Sequence, residues 1–521
     1  MTQAGIRIAI DRGGTFTDAW AQIPGHASDV IFKILSESPG EYDDAPTECI
    51  RQILETANGS PIPRGTLLDL NPVESIRMGT TVATNALLER KGEQVALLIT
   101  KGFRDLLKIG NQARPNIFDL SVQRLAQLYE TVVEVDERVT IEGFSEDPDP
   151  KPVEVDSDSD LHMGLTGEAV RILKTPDLEA VRNDLYVLWS QGYRSVAVAL
   201  MHSYTFQKHE LAVAAVAREI GFKVAVSSEL QTMAKLVPRS QSAVADAYLS
   251  PVTQKYLEGF RKGFQGELRD EHAKKVFVNQ SDGGLTSIAN FSGLRGVLSG
   301  PAGGVVVGGT STDVARYAGA LEHIFESTIA QVTIQTPQLD INTVAAGGGS
   351  MLFWENGLFK VGPHSAGAHP GPACYGRGGP LTVTDANLFL GRIIPDYFPR
   401  PLDNAIVKDK FASLTATINA EKDGLSQLTA EEVAVGFLSI ANATMTRPIR
   451  TLSEGRGFET AAHNLCCFGG AGGQHAVAIA RDLGIRRALI PRNSSVLSAY
   501  GMALADVVVE NQEPESCCLH C

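Results

Sequence analysis

One six-residue turn, written twice, constrains this chain more than any other feature. Gly13-Gly14-Thr15-Phe16-Thr17-Asp18 returns as Gly308-Gly309-Thr310-Ser311-Thr312-Asp313, with five of the six positions identical. Each copy follows an apolar run, IRIAI at 6–10 and VVV at 305–307. Self-similarity at this distance signals duplicated structural units. A strand that runs into Gly-Gly and then hydroxyl residues is suited to an anion, because glycines let backbone N–H groups approach and Thr hydroxyls add donors. Asp11, at the end of the first apolar run, is placed to hold Mg2+ or orient water. A third glycine loop, FGGAGGQH at 468–475, follows the apolar run 465–468 and precedes a predicted helix over 476–483. That order suits a nucleotide's ribose or phosphates at a helix N-terminus.

The rest of the chain supports a layered α/β reading. Short apolar runs at 95–100, 195–200, 223–227 and 276–280 alternate with helical stretches such as 46–56 and 79–91. Such alternation predicts largely buried sheets. Two related lobes, each with a phosphate turn, predict a nucleotide clamped in a central cleft, the actin/hexokinase/Hsp70-like arrangement. There is no GxxxxGK[ST] loop, and no dinucleotide-type GxGxxG at the first turn. The formal charge of −14 gives no positive field for nucleic acid. No apolar run approaches a membrane span, and the first twenty residues read as a strand and turn, so a cytoplasmic protein is expected. Seven cysteines over 521 residues suggest free thiols in a reducing compartment. Three of them crowd the last five residues, where Cys-Cys-x-His-Cys lacks the separated pairs of a zinc site. Residues 142–161, acidic and holding three prolines, read as an exposed loop.

The motif set resembles the 5-oxoprolinase family, in particular its hydantoinase A half. The resemblance is carried by IAIDRGGTFTDAWAQIPG at 8–25, RMGTTVATNALLERKG at 77–92, ITKGFRDLLKIGNQARPNIFDL at 99–120 and NQSDGGL at 279–285. It continues through LSGPAGG at 298–304, the glycine-rich 340–392 segment and FGGAGGQHA at 468–476. It implies an N-terminal lobe over 1–225, a main domain over 226–510 and a divergent tail over 511–521. It also implies an ATP- and Mg-dependent hydrolase that opens 5-oxo-L-proline to L-glutamate, with ATP going to ADP and phosphate. Asp11 would hold the metal, and Asp11, Asp313 and Asp340 would be the catalytic acids. Gly13, Gly14, Thr15 and Thr17 would form the first phosphate turn, and Gly309, Thr310 and Thr312 the second. Gly469, Gly470, Gly472 and Gly473 would lie against the nucleotide. Arg114 and Arg239 would bind a substrate carboxylate, since guanidinium suits bidentate pairing. His369 and Asp385 are further candidates for a metal or for proton transfer. The implied partners are 5-oxoproline or a related lactam or hydantoin, a hydantoinase B-like subunit, and a second copy in a homodimer.

Two departures from the family pattern matter. Members place some twenty residues, ending in Phe-Asp-Met, between SGPAGG and the second GGTSTD. Here GPAGGVVVGGTSTDV runs straight through, so Val306 occupies the acidic position. A valine can neither bind Mg2+ nor accept a proton, and the absent strand would belong in the middle of the second lobe's sheet, so that lobe is expected to be incomplete. Set against the family pattern, the chain is also expected to be short of the full A half and to be without the B half. Three readings stay open: a 5-oxoprolinase-like hydrolase; a catalytically weak nucleotide-binding remnant or a subunit needing a B partner; and a tailoring hydrolase for another lactam or imide in secondary metabolism.

Overall fold

The computed structural model describes residues 5–111, 127–142, 153–155, 159–269, 271–303, 312–329, 332–421 and 427–514. The first apolar run becomes β1 (Ile6–Arg12), with Ile8, Ala9 and Ile10 buried on both faces of the sheet. A strand covered on both sides has no polar face to alternate with, which is why its core reads as a near-continuous apolar stretch. The Gly-Gly turn reverses the chain into β2 (Phe16–Gln22), which pairs antiparallel with β1 and then with β3 (Val30–Leu35). Gly13 donates to the Phe16 carbonyl at 3.0 Å, and a Cβ at Gly13 would sit 2.9 Å from that oxygen. The turn therefore closes only around glycine.

On its other side β1 pairs parallel with β4 (Val73–Thr80). The buried helix α1 (Ala45–Asn58), capped by Asp44, covers this sheet. A second sheet is wholly parallel. It runs β5 (Val95–Thr100), β6 (Tyr129–Val135), β7 (Ser195–Ala199) and β8 (Lys223–Val226), in the spatial order β8-β7-β5-β6. The helices α2 (Val82–Leu88), α3 (Lys208–Ile220) and the long α4 (Leu236–Arg261) pack around it.

Two strands from beyond the boundary expected at 225/226 also join the first sheet. β9 (Val276–Asn279) pairs parallel with β4, and β10 (Leu285–Ser287) pairs antiparallel with β9. The first sheet is thus six-stranded, β10-β9-β4-β1-β2-β3, and takes its last two strands from beyond residue 226. Burial decides this: Val276 and Val278 join Ile8, Ile10 and Ile76 in one core.

The second lobe has a solid helical core and a broken sheet. Phe411, Phe437, Val407 and Met445 are buried among the helices that follow the glycine-rich segment, including α5 (Ala430–Leu452) and α6 (Gly472–Asp482). The strand after the second turn, β11 (Thr312–Val314), comes next. The hairpin β12 (His323–Ile329) and β13 (Val332–Leu339) leads on to β14 (Asn342–Val344). β11 pairs antiparallel with β14, as β2 does with β3. β15 (Leu465–Cys466) pairs parallel with β16 (Ala488–Leu489), as β4 does with β9. In the first lobe β1 joins those two pairs. Among the described residues no strand joins them in the second, and they stand as separate two-stranded sheets. The second lobe is expected to be incomplete around 303–309, and all of that run but Gly303 lies outside the described residues. A final helix, α7 (Leu497–Leu504), returns to pack on β1.

The hairpin β12–β13 reaches across to the first lobe. Ile334 is buried against α4, Ser242 accepts from the Gln335 amide at 3.0 Å, and the Gln231 side chain donates to the Gln335 carbonyl.

Isolated two-stranded sheets are marginal in water. Backbone amides of β11, β14, β15 and β16 should therefore exchange with deuterium well before those of β1, β2 and β4. Hydrogen-exchange mass spectrometry checks this, and equal protection of the two sets would show that the second sheet is as stable as the first.

Candidate active site

A cleft of about 1250 Å3 lies between the lobes. From the first lobe Asp11, Gly13, Gly14, Thr15, Asp18 and Lys33 line it; from the second come Asp313, Asp340, Gly348, Gly349, Gly469 and Gly470. The two glycine features singled out in the sequence thus share one cavity. Gly469 has φ +88°, a left-handed conformation that favours glycine, and its amide donates to the Ser494 carbonyl at 2.7 Å.

Asp11 is the electrostatic centre of the cleft. It ends β1, opposite Asp18 on β2 and Gly79 on β4. Its Oδ1 is buried and has no hydrogen-bond partner. A Cβ at Gly79 would come within 3.0 Å of that oxygen, so glycine there leaves room beside it. Burial, then the charge of Asp18 and more weakly that of Asp313, push the Asp11 carboxyl up to about 7, against opposing contributions from the Ser498 hydroxyl and Lys33. A buried carboxylate among other carboxylates is stable only with a proton or a cation beside it.

The other expected residues fall into three groups. Thr17 and Thr312 are buried but do not line the cleft: Thr17 shares a 3.1 Å hydrogen bond with Ser36, and Thr312 donates to the Ala346 carbonyl at 2.7 Å. Strand alternation explains this, since their neighbours Asp18 and Asp313 take the cleft side. Gly472 and Gly473 begin α6 and are likewise outside the lining. Asp313 accepts from Thr343 at 2.6 Å. Gly309, Thr310, Val306 and Arg114 lie outside the described residues, as does most of the 142–161 loop.

Three of the expected residues are engaged with other groups of the chain. Asp340 lines the cleft, but its carboxylate is engaged by Arg456, which also donates to Glu322 at 2.9 Å. It is an ion-pair partner, not an open base. Arg239 is fully buried away from the cleft. It donates to the Ser203 hydroxyl and, at 3.0 Å, to the Leu200 carbonyl. Ser203 in turn donates to buried Glu210, which also accepts from the Leu200 and Ser228 amides and the Ser227 hydroxyl. Arg239 braces the carboxyl ends of β7 and β8. Asp385 is buried as the N3 acid of a capping box with Thr382 and accepts from the Ala373 and Cys374 amides, while His369 is exposed.

Sequence reasoning missed Lys33, Arg456 and Gln474. Gln474 lines the cleft, and its Oε1 is buried without a partner. It lies inside the glycine loop read from the sequence, FGGAGGQH at 468–475, so the loop itself was the available signal. Lys33 is a lone charge in the strand VIFKIL, and nothing in that pattern marks it. Behind Gln474, His475 is buried. Its Nδ1 bonds Asn442 at 2.7 Å and its Nε2 bonds Asn387 at 3.3 Å, an arrangement suited to a neutral ring.

A paired α/β clamp with glycine turns meeting at a buried acid is the architecture of the actin/hexokinase/Hsp70-like nucleotide-binding proteins. Within that class the chain belongs to the Hydantoinase/oxoprolinase family. The pattern of the family's N-terminal region matches residues 7–221, and the main family pattern matches 239–307 and 307–511, in two pieces that meet at Val307. An uncharacterized protein of Schizosaccharomyces pombe is 54% identical over 544 positions, more than the 521 residues of this chain, covering 98% of the chain and 41% of the relative. A 5-oxoprolinase of Saccharomyces cerevisiae is 51% identical over 99% of the chain and 42% of its own length. The chain thus spans about two fifths of those eukaryotic relatives. The caprolactamase alpha subunit of Pseudomonas jessenii is 30% identical, with 97% of the chain and 71% of the subunit covered. The crystal structure of the ATP-dependent caprolactamase from Pseudomonas jessenii superposes with a TM-score of 0.68 at 27% identity, covering 96% of this chain and 71% of that one. A nucleotide-free acetone carboxylase shares the fold with a TM-score of 0.74 at 22% identity, covering 96% and 70%. No helix among the described residues is long and apolar enough to cross a membrane.

Burial, and next the charge of Arg392, lower the pKa of His475 from 6.5 to about 4. The unfolded chain therefore binds a proton more readily than the folded one, and the stability contributed by the neutral ring is lost as pH falls from 6.5 toward about 4. His475→Gln should lose less stability on acidification than the parent, as read by urea melts at about pH 7 and about pH 5. Parallel losses in the two proteins would show that His475 does not carry the acid sensitivity.

Proposed function

We propose that this chain is the nucleotide-binding, phosphoryl-transferring part of a cyclic-amide hydrolase of the 5-oxoprolinase type. The overall reaction would be 5-oxo-L-proline, ATP and water to L-glutamate, ADP and phosphate. The observation that carries the reading is the unpartnered Asp11 carboxylate oxygen, buried where the Gly13-Gly14-Thr15 turn and the Gly469-Gly470 loop share one cleft. The about 50% identity to 5-oxoprolinases and the ATP-dependent caprolactamase neighbour support the same direction.

Magnesium fits this site in a particular way. Among the described residues no three His, Cys, Asp or Glu side chains gather as a closed metal cage. Asp11 alone offers an open, buried carboxylate oxygen, which matches an ion that keeps waters and shares phosphate oxygens. Bound Mg-ATP would supply the phosphoryl group that makes a resonance-stabilised lactam carbonyl open to water. The chain's own part is positioning. The first turn and the Gly469-Gly470 loop leave backbone close to the phosphates, and Asp11 orients the metal.

A second reading is favoured by the sequence, which has Val306 where the family pattern places an acid, and by the lack, among the described residues, of a strand between β11 and β15. The chain would then hold nucleotide while turning it over slowly, alone or beside a hydantoinase B-like subunit. Losing one oriented carboxylate in phosphoryl transfer costs about two to three orders of magnitude.

The deciding assay is release of phosphate and glutamate by the purified chain with Mg-ATP, with and without 5-oxoproline. Coupled release supports the first reading. Phosphate alone marks an uncoupled half, and neither product alongside measurable nucleotide binding supports the second. Asp11→Ala should lower any phosphate release by at least about 100-fold, and full retention would refute the assignment of the first turn. Inserting the strand that relatives carry before the second turn, with its Asp, should raise turnover, measured by the same assay. An unchanged rate would show that the missing strand is not what limits the protein.

A further inference from the structure

Acids outnumber bases around the cleft. Asp11, Asp18, Glu89, Asp313 and Asp340 line it, against Lys33 and Arg456. Arg456 is occupied by Asp340 and Glu322. Among the described residues Lys33 is therefore the cation at the glycine end, and it touches both sides of the cleft. It rises from β3 of the first lobe, its Nζ donates to Asp18, and it also reaches the Ser495 carbonyl at 3.2 Å beyond β16. The Phe16 ring centroid lies 5.2 Å from the same nitrogen. The second-lobe loop leans on its stem: a Cβ at Gly470 would lie 3.3 Å from Lys33 Cε and 3.5 Å from Nζ. The Lys33 and Asp18 side chains are only 18% and 16% exposed, so the pair is largely removed from water yet opens onto the cavity.

We propose that Lys33 is a phosphate-binding residue that Asp18 holds in reserve, and that it passes from the Asp18 carboxylate to a phosphate oxygen when nucleotide binds. The inference rests on the nucleotide reading above and adds to it a named ligand and a competition. Asp18 satisfies the ammonium while the cleft is empty, since an unpaired buried cation would be costly. A polyphosphate brings acceptors of higher charge, and charge-assisted bonds to it are stronger than neutral ones. Because Lys33 also contacts the Gly470 loop and the Ser495 carbonyl, the transfer links phosphate occupancy to both lobes.

The test compares the parent, Asp18→Asn and Lys33→Met/Asp18→Asn by nucleotide affinity in the full chain, using the Mg2+ complex of a non-hydrolysable ATP analogue, adenosine and inorganic phosphate as probes. Asp18→Asn should tighten triphosphate binding about tenfold by releasing Lys33, and leave adenosine unchanged. Lys33→Met alone strands Asp18 as a buried charge and is expected to be unstable, so the informative partner is Lys33→Met/Asp18→Asn, which removes both charges together. That variant should bind adenosine as the parent does and lose about 10- to 100-fold for the triphosphate. Triphosphate binding by the double variant as tight as that of Asp18→Asn would overturn the proposal, because it would mean simple relief of repulsion. So would an unchanged triphosphate-to-adenosine ratio in the double variant. Parent-like binding of inorganic phosphate alone, lost in the double variant, would support an anion site centred on Lys33. A parent chain that binds none of the probes defeats the nucleotide reading itself, an outcome separate from a parent that binds normally and is indifferent to residue 33.

Discussion

The structure is organised around a charge that its own surroundings repel. Asp11 sits near the end of a strand with a buried centre, facing Asp18 on the neighbouring strand, with Asp313 across the cleft and one carboxylate oxygen unmatched. Nothing in folding alone favours this. Burial and like charges both oppose ionisation. Much of the nearby architecture accommodates the conflict: Gly79 leaves space, Ser498 donates a hydrogen bond, and Lys33 neutralises the nearest acid. Strain of this kind, held by a rigid sheet, is what a site prepared for a cationic or metal-bearing ligand requires.

Much of this was legible because it depended on local rules. Gly13 is required by a turn that closes within 3.0 Å, and the strand–turn–strand unit built on it was readable as IRIAIDRGGTFTD. The Gly469-Gly470 loop and α6 followed from a strand, glycines and a helix in order. What could not be read was partnership across the chain. Arg239 has the chemistry of a carboxylate ligand, but only the packed positions of Ser203, Leu200 and Glu210 show that it braces two strand ends. Asp340 looks like a free acid until Arg456, more than a hundred residues later, is seen beside it. Lys33 was invisible for the opposite reason: a single lysine in a strand carries no periodic signal, and its meaning comes from Asp18 and Gly470. That β9 joins the first sheet was equally unreadable, because it is chosen by pairing with β4, a long-range contact with no local mark.

The two lobes differ in how their strands are joined. The first lobe's β1 is buried on both faces and holds pairs on either side of it together. The second lobe has a helical core and loops that line the cleft, while among the described residues its strands form two separate pairs at those positions. Cleft geometry and sheet continuity are therefore separable here. The glycine loops are held by helix packing and by bonds such as Gly469 to Ser494, not by a continuous ladder.

The hairpin β12–β13 has a kinetic consequence. It leaves the second lobe, lines the cleft with Ile324 and Ile329, and latches onto α4 through Ile334 and the Gln335 bonds. Two jaws joined only at their base open by a hinge; here a strap also crosses between them. Opening on that side must break polar bonds and wet a buried isoleucine in one event. The residence time of anything admitted past the strap is thus a property of the hairpin, adjustable by evolution at Ile334 or Gln335 without altering a single group that touches phosphate.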